Sequence, residues 1–491
     1  MKKLYVLLFS FITAFGARAN NIQVSNITVS QPNISFTISW DNSWNTMSNI
    51  NPLYPNNWDG AWVFIKYQNP IDNLWKTAKV SNNSGDHSIT GSVLQIDAVT
   101  DSMGVFIRRT NTGNGSVSAT VTLKMGGLTG AGLFNFKVFG TEVVYIPQSN
   151  FQLGDGNVSA TSFFNVQNIT AATQSTGFLA GALYTGSPVI PATFPMGYNA
   201  YYMMKYEITN EQWCDFLNTL TYDQQVNRVD AVPNSPVNTQ AYTASASTIE
   251  DNVIKMQATG LNNTVPATYA CDLDGDNIYN ENNDGQNIAL TLIGKTDFYA
   301  FLDWSGLRAP TEMEFEKACR GTLPRVQSEY AWGSTDINAH VRSSLTNLGL
   351  STEGWAGTVT NGQVVAAAGP GGTQGPARVG QFGTNSTGRS SAGAGYYGNM
   401  DLTGNAWEFC VLADATGALY TGAHGNGALT TAGDADVAGW PGGAALGTEI
   451  KGGSWYETSN YTLYTMVSYR NGASAYPRSL NYGGRGVRTA P

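Results

Sequence analysis

Apolar and polar residues alternate along the first quarter of the chain, and this alternation is the period of a half-buried β-strand. One such run carries its apolar side chains at Ile34, Phe36, Ile38 and Trp40. A second run follows the same pattern over 117–123, while 61–67 is apolar almost throughout, as in a central strand. Because turn sequences such as 111–115 separate these short runs, residues 20–125 are predicted to form an all-β, immunoglobulin-like sandwich.

Three tryptophans in this region have two interpretations. Trp44, Trp58 and Trp75 either form a ligand-binding face or pack at the rim of the sandwich. A glycine-rich stretch then begins at Gly126, and the composition changes after it. Residues 126–141 are therefore predicted to link the sandwich to a second domain over 142–491.

Helical periodicity appears only in this second region. After Thr209, the apolar side chains of Trp213, Phe216, Leu217 and Leu220 fall on one helical face. Thr209 with Gln212, and Thr311 with Glu314, have the spacing of capping boxes, which predicts that two helices begin there. A third amphipathic run, 298–304, is followed by Ser305 and Gly306, which predict its end.

Composition and charge narrow the classes of function. The chain has 491 residues, a net charge of −9 and only 12% charged residues, so it has no basic surface for nucleic acid or anionic lipid. Residues 1–19 have the charged start, apolar run and small-residue cut site of a secretory signal peptide. No later stretch predicts a membrane span. We expect an exported bacterial protein in the periplasm, at the cell surface or outside the cell.

Several motifs appear in the order of one known family. They are Tyr202-Met-Met-Lys-Tyr-Glu-Ile-Thr-Asn210, Leu307-Arg-Ala-Pro-Thr-Glu312, Asp401-Leu-Thr-Gly-Asn-Ala-Trp-Glu408, Lys451-Gly-Gly-Ser-Trp455 and Asn481-Tyr-Gly-Gly-Arg485. Together they resemble the formylglycine-generating enzyme, or sulfatase-modifying factor, family. The resemblance implies an α+β, C-type-lectin-like fold with little regular structure over 142–491. Residues of about 222–290 and the glycine-rich stretch 352–395 are interpreted as insertions in that fold.

The same resemblance implies a copper-dependent oxidase, but this chain departs from it at the metal ligands. The positions of the copper-binding cysteine pair fall on Glu457 and Thr462, neither of which is a thiolate, so no copper is expected. The family's frequent disulfide from the position of Cys319 would end at Val467 and cannot form. The four cysteines are Cys214, Cys271, Cys319 and Cys410, and either disulfides or free thiols remain open for them.

Two acidic groups are candidate calcium sites. Asp272, Asp274, Asp276 and Asp284 lie at alternate or nearby positions of one loop, as in extracellular calcium modules. The family resemblance implies a second set, made of Asp401, Gly404, Ala406 and Glu408. The alternatives are a polar turn without metal for the first group and buried hydrogen bonding of Glu408 for the second.

The C-terminal segment has the composition of a binding loop, because tyrosine offers rigid amphipathic contact area beside small polar residues. The candidate binding residues are Tyr456, Asn460, Tyr461, Tyr464, Tyr469 and Tyr476. Ordinary packing is the alternative. We therefore expect an exported, non-catalytic protein that binds a protein or glycan at the cell surface. A divergent formylglycine-generating-type oxidoreductase and a retroelement-diversified display protein are the two other hypotheses.

Overall fold

The computed structural model describes residues 21–47, 55–91, 93–129, 133–157, 165–172, 190–243, 253–261, 264–367, 374–384, 387–442 and 447–491. The predicted signal peptide, 1–19, lies outside these residues. The strands of the first part are β1 Gln23–Ser30, β2 Asn33–Asn45, β3 Asp59–Gln68, β4 Trp75–Val80, β5 Ser88–Thr90, β6 Leu94–Ala98, β7 Val105–Arg109, β8 Gly113–Gly126 and β9 Asn135–Ile146.

The remaining elements are shorter and separated by long ordered loops. The strands are β10 Phe151–Leu153, β11 Gln167–Ile169, β12 Tyr201–Met204, β13 Ile254–Ala258, β14 Thr268–Cys271, β15 Asn338–His340, β16 Gln363–Val365, β17 Trp407–Val411, β18 Thr448–Lys451, β19 Tyr482–Gly483 and β20 Val487–Thr489. The helices are α1 Asn210–Leu217, α2 Tyr222–Arg228, α3 Lys295–Ser305, α4 Glu312–Arg320 and α5 Tyr461–Tyr464. None of the helices in the described part of the chain combines the length and apolarity that a membrane crossing requires.

The N-terminal strands share one apolar core. In β2 the side chains alternate between buried and half-buried, and β3 is buried along almost its whole length, as the sequence pattern predicts. The inward side chains of β2 and β8 pack in one cluster with those of β3, β6 and β7. The immunoglobulin-like arrangement of this region stays a prediction.

Strand β9 connects the two parts of the chain. It pairs with β3 on one side and with β12 on the other, within the path β1-β2-β8-β4-β3-β9-β12-β20. Residues 135–141, which the sequence analysis places in a linker, therefore belong to this strand. The first part of the molecule is joined to the second by main-chain hydrogen bonds of a shared sheet.

Aromatic packing strengthens the same junction. The Trp304 ring of α3 lies 5.0 Å from Phe64 of β3, 4.9 Å from Phe139 of β9 and 5.4 Å from Phe216 of α1, between ring centroids. Aromatic pairs at such distances contribute about 0.5–1.5 kcal/mol each beyond their buried area. The indole N–H of Trp62 also donates to the Ser305 carbonyl, at 2.8 Å.

The predicted helix starts and stops are confirmed. Thr209 accepts from the Gln212 backbone while the Gln212 side chain accepts from the Thr209 backbone, and Thr311 with Glu314 does the same before α4. Helix α3 ends at Gly306, whose φ of 71° is left-handed. A residue without a side chain is favoured there because a Cβ in that conformation is strained.

Candidate functional site

Two glycines turn the chain from β18 into the C-terminal segment. Gly452 and Gly453 have φ values of 89° and 70°. A Cβ on Gly453 would lie 2.5 Å from Cγ2 of Thr465, so both the backbone conformation and the space require glycine. The turn carries the chain from the buried Lys451 side chain to Ser454, directly before the positions at which the family oxidase holds copper.

Glu457, at the first of these positions, is engaged by hydrogen bonds on both of its oxygens. Oε1 accepts from the Trp407 indole at 2.5 Å and from the Asn481 amide at 3.2 Å. Oε2 accepts from the Ser454 backbone at 2.9 Å and from its hydroxyl at 2.7 Å. The carboxylate thus ties the segment to β17 and to the residue before β19, and its oxygens already have protein donors.

Thr462, at the second position, lies in the short helix α5. Its carbonyl accepts a hydrogen bond of 3.0 Å from the Tyr330 hydroxyl. The threonine hydroxyl does not ionise near neutral pH. The pair Glu457 and Thr462 therefore offers one hard, hydrogen-bonded carboxylate and one neutral hydroxyl, a donor set that does not fit Cu(I), which prefers soft thiolates.

The acidic set around Glu408 is a buried ion network. The Glu408 oxygens accept from Nε and Nη2 of Arg485 at 2.6 and 2.7 Å, and neither side chain is exposed. Two further carboxyls, those of Glu207 and Asp401, accept backbone hydrogen bonds beside this pair, from Ala406 at 2.8 Å and Gly380 at 2.5 Å. The arginine is 77 residues from its partner along the chain.

These three carboxyls are close enough to affect one another's ionisation. Burial, followed by the charges of Asp401 and Glu408, raises the pKa of Glu207 well above its ordinary value. Burial also raises the pKa values of Asp401 and Glu408, against the attraction of Arg485. Of the predicted calcium ligands here, Asp401 and Glu408 are thus held in one network whose positive charge comes from the protein. Calcium at this second set stays a prediction.

The acidic loop after β14 brings together three of its four predicted ligands. Asp272, Asp274 and Asp276 each place a carboxylate oxygen within 4.8 Å of the others. Asp272 is buried and pairs with Nζ of Lys255 at 2.9 Å, whereas Asp274 and Asp276 are exposed. One ammonium therefore faces three carboxylates, a local excess of negative charge.

Asp284 adds a fourth carboxyl at the end of this loop. It is 0% exposed, and its Oδ2 accepts from the Glu281 backbone at 2.6 Å. Its Oδ1 has no hydrogen-bond partner within the part of the chain that the structure describes. Burial, reinforced by the charges of Asp274 and Asp272, raises the pKa of Asp284 to about 6. Buried acceptors without a partner are costly, so this oxygen is available for a cation or water.

The aromatic C-terminal segment divides into two groups. Tyr456, Tyr461 and Tyr464 are half-buried, and Asn460 is exposed. The predicted binding residues Tyr469 and Tyr476 are instead 8% and 4% exposed.

Packing explains why these two tyrosines are not on the surface. The Tyr469 ring lies 5.2 Å from that of Tyr464, and the Tyr476 ring lies 5.9 Å from that of Phe409. Both rings therefore lie in the core beneath the half-buried tyrosines of the segment.

Sequence comparison identifies the domain that carries these motifs. The family model described as Sulfatase-modifying factor enzyme 1-like domain matches residues 140–490. The chain belongs to the sulfatase-modifying factor family. A curated relative from Thermomonospora curvata, named formylglycine-generating enzyme, is 32% identical over 129 residues, which make up 26% of this chain and 34% of the relative. The chain thus matches about a third of that relative's length.

Membership confirms the predicted family and its C-type-lectin-like fold for the second region. All four cysteines are free and buried. Cys319 and Cys410 lie in one apolar cluster with Val467, and burial raises the pKa of both thiols. Cys214 and Cys271 place their sulfurs 4.0 Å apart, without a bond between them, and both are buried.

Sequence reasoning missed two features of this family member. Arg485 was noted only as part of the closing motif, although its guanidinium supplies the counter-charge for Glu408. A cavity between the N-terminal strands and the glycine-rich stretch around 380–400 was also missed. The one signal for the cavity was Trp44, which lines it, whereas Trp58 stacks on Tyr145 and Trp75 lies beneath Lys137.

Proposed function

We propose that this chain is an exported, non-catalytic member of the sulfatase-modifying factor family that binds a protein or glycan at the cell surface. The observation that carries the proposal is the pair Glu457 and Thr462 at the copper positions. An oxidase of this type needs two thiolates to hold Cu(I) and to engage the substrate thiol. Here one position is a carboxylate whose oxygens accept four hydrogen bonds and the other is a hydroxyl.

The half-buried part of the C-terminal aromatic segment is the surface that we assign to the partner. Tyr456, Asn460, Tyr461 and Tyr464 lie on or beside α5 and retain exposed area. Tyrosine rings combine apolar contact with a hydroxyl and lose little conformational entropy on binding, which suits recognition of a protein or a glycan. Glu457 stabilises this surface by tying its base to Trp407 and Asn481.

Calcium binding to the Asp272–Asp284 loop is part of the same proposal. Three carboxylates that lie within reach of one cation, together with the unpartnered Oδ1 of Asp284, support it. Calcium takes six to eight oxygen ligands, including waters, so the exposed positions of Asp274 and Asp276 are suitable. We limit the proposal to this loop, because Arg485 already pairs with both oxygens of Glu408.

A peptide-oxidation assay tests the absence of catalysis. The purified chain is incubated with copper, reductant, oxygen and a sulfatase peptide containing the substrate cysteine, and formylglycine is sought by mass spectrometry. We expect none, and Thr462→Cys should not restore it because Glu457 still occupies the other ligand position. The Thermomonospora curvata relative, run in parallel, is the positive control. Formylglycine from the wild-type chain would overturn the proposal.

A cell-binding assay tests the proposed surface. Fluorescently labelled protein is added to bacterial cells, and the bound fraction is measured for the wild type, Tyr456→Ala, Tyr461→Ala and the control Tyr198→Ala. Loss of one contact residue should weaken binding about tenfold, as for interface aromatics in general, while the control retains it. No binding by the wild type, or equal binding by all variants, would contradict the assignment.

A further inference from the structure

A cavity of about 580 Å³ lies between the N-terminal strands and the family domain. Trp44, Thr46 and Asn57 contribute one wall, and the stretch around Arg389–Met400 contributes the opposite wall. Its volume is in the range of pockets that hold a small organic ligand, and junctions between domains are frequent locations for such pockets. The cavity is separate from the C-terminal aromatic surface, which does not line it.

Hydrogen bonds within and between the two parts of the chain hold the walls in place. The Asn57 amide donates to the Tyr397 carbonyl at 2.7 Å, and the Met400 backbone donates to the Lys205 carbonyl at 2.9 Å. Asp59 accepts from the Trp44 backbone at 2.8 Å, which fixes the end of β2. The cavity is therefore preformed, which lowers the entropic cost of binding a ligand.

The charged residues that line the cavity are both cations. Lys205 already pairs with Glu142 at 2.9 Å and with Asp59 at 3.6 Å. Arg389 donates from Nη2 to the Cys319 and Ala331 carbonyls, both at 2.8 Å. No carboxylate pairs with Arg389 among the described residues, and its buried Nε has no partner there.

The positive charge of Arg389 is therefore uncompensated within hydrogen-bonding distance. The near carboxylate, Glu329, is already engaged by Arg320. Because both N–H groups of Nη2 are donated to carbonyls and Nε is buried, Nη1 is the group left to donate a charge-assisted hydrogen bond, which suits an anionic group such as a carboxylate. A ligand with one carboxylate would thus complement the net charge of the lining.

The rest of the lining indicates what carries that carboxylate. Trp44 and Tyr396 are half-buried rings, and Nζ of Lys205 lies 4.9 Å from the Trp44 ring centroid and 5.3 Å from that of Tyr206. Flat aromatic faces suit a ring with an apolar C–H face. The exposed amide of Asn42 also lines the cavity and can bond to a hydroxyl group of the ligand. An aromatic acid such as benzoate offers no hydroxyl group to it.

We propose that this cavity binds an acidic saccharide, with the carboxylate of a uronic acid unit on Arg389 and its sugar ring against Trp44 and Tyr396. The inference rests on the proposed role as a binding protein and names a ligand class for it. It assigns recognition to a second site, formed jointly by the N-terminal strands and the family domain.

Binding of free sugars to the full chain tests the inference. Saturation-transfer NMR and titration calorimetry are run with glucuronate, galacturonate, their neutral parent sugars and benzoate. We expect the uronates to bind about tenfold or more tightly than the neutral sugars, because only the uronates can accept a charge-assisted hydrogen bond from Arg389. Equal binding of neutral sugars, equal binding of benzoate, or no binding of uronates would each overturn it.

Variants locate the site. Arg389→Gln and Trp44→Ala should each weaken uronate binding about tenfold or more, and Trp75→Ala, a tryptophan outside the cavity, should leave it unchanged. If Arg389→Gln does not fold, Arg389→Lys is measured instead, because it keeps the positive charge without the guanidinium and should give an intermediate affinity. Unchanged affinity in Trp44→Ala and in the arginine variant would contradict the site. Cell binding by Tyr461→Ala is measured separately, so a failure here is distinguishable from failure of the proposed function.

Discussion

The two acidic regions of the molecule balance their negative charge in different ways. Around Glu408, within a family motif, the carboxyls are fully buried and Arg485 provides the counter-charge from the closing motif. In the Asp272–Asp284 loop, Lys255 pairs with Asp272, the carboxylates of Asp274 and Asp276 are exposed, and Asp284 is buried. In the first region a protein cation pairs with both oxygens of Glu408, and in the second one ammonium faces three carboxylates whose excess negative charge a cation would neutralise.

This difference follows from the burial of the carboxylates in the first region and the exposure of Asp274 and Asp276 in the second. A buried carboxylate without a partner is strongly unfavourable, so a core network must contain its own cation or hold a proton. For Glu207, the third carboxyl of the network, burial raises the pKa, and its two oxygens accept from the Asn405 side chain and the Ala406 backbone. A loop at the surface can instead exchange its counter-ion with the solvent.

The largest expected effect is on the buried network. Glu408→Gln leaves Arg485 buried without its charge partner, so the free energy of unfolding should fall by about 3–5 kcal/mol. The free energy of unfolding is measured by urea denaturation, with tryptophan fluorescence as the signal. The exposed pair of Asp72 with Lys76 provides a control, Asp72→Asn, which should leave the free energy of unfolding nearly unchanged because solvent screens this pair.

The same variant separates the two regions. The loss in Glu408→Gln should be equal in calcium and in chelator, because the arginine, not a metal, satisfies that carboxylate. A loss that disappears when calcium is removed would mean that the motif does hold a cation, and the contrast between the regions would fail.

A smaller effect is expected from calcium at the exposed loop. A cation that binds only the folded chain should raise stability by about 2.7 kcal/mol at a hundredfold excess over its dissociation constant. The melting temperature should therefore drop in chelator for the wild type, and Asp274→Ala should remove this sensitivity. Asp72→Ala, far from the loop, should keep it. If chelator does not change the melting temperature, the loop is a polar turn without bound metal.

The smallest effect concerns pH in the calcium-free protein. The pKa of Asp284 is raised from 3.8 to about 6, so the folded chain keeps a proton that the unfolded chain releases in this window. Stability should accordingly decline as pH rises from about 4 to about 6, and Asp284→Asn should flatten that decline. Calcium favours the carboxylate, so its stabilising effect should grow over the same range. A decline that persists unchanged in Asp284→Asn would assign it to another group.

Local features of the fold were predictable from sequence, and long-range ones were not. The capping boxes at Thr209 and Thr311 depend on residues three apart, so their spacing sufficed. Glu408 and Arg485 are 77 residues apart in the chain, so no local sequence pattern predicts that they pair.

The candidate site follows the same rule. Glu457 and Thr462 could be placed at the copper positions from the motif alone, but the donors around Glu457 come from β17 and from Asn481. Tyr469 and Tyr476 have the residue type of a binding surface, yet both rings pack against other aromatic rings, those of Tyr464 and Phe409. Residue type indicates what a side chain can do, whereas burial decides whether it is accessible.

Metal analysis of the purified full chain tests the central claim most directly, that this family member has exchanged copper chemistry for binding. The protein is loaded with Cu(I) under reductant and with calcium, dialysed, and analysed for both elements. We predict calcium bound through the Asp272–Asp284 loop, lost in Asp274→Ala, and no retained copper. Stoichiometric copper in the wild type that is lost on changing Glu457 or Thr462 would contradict the account.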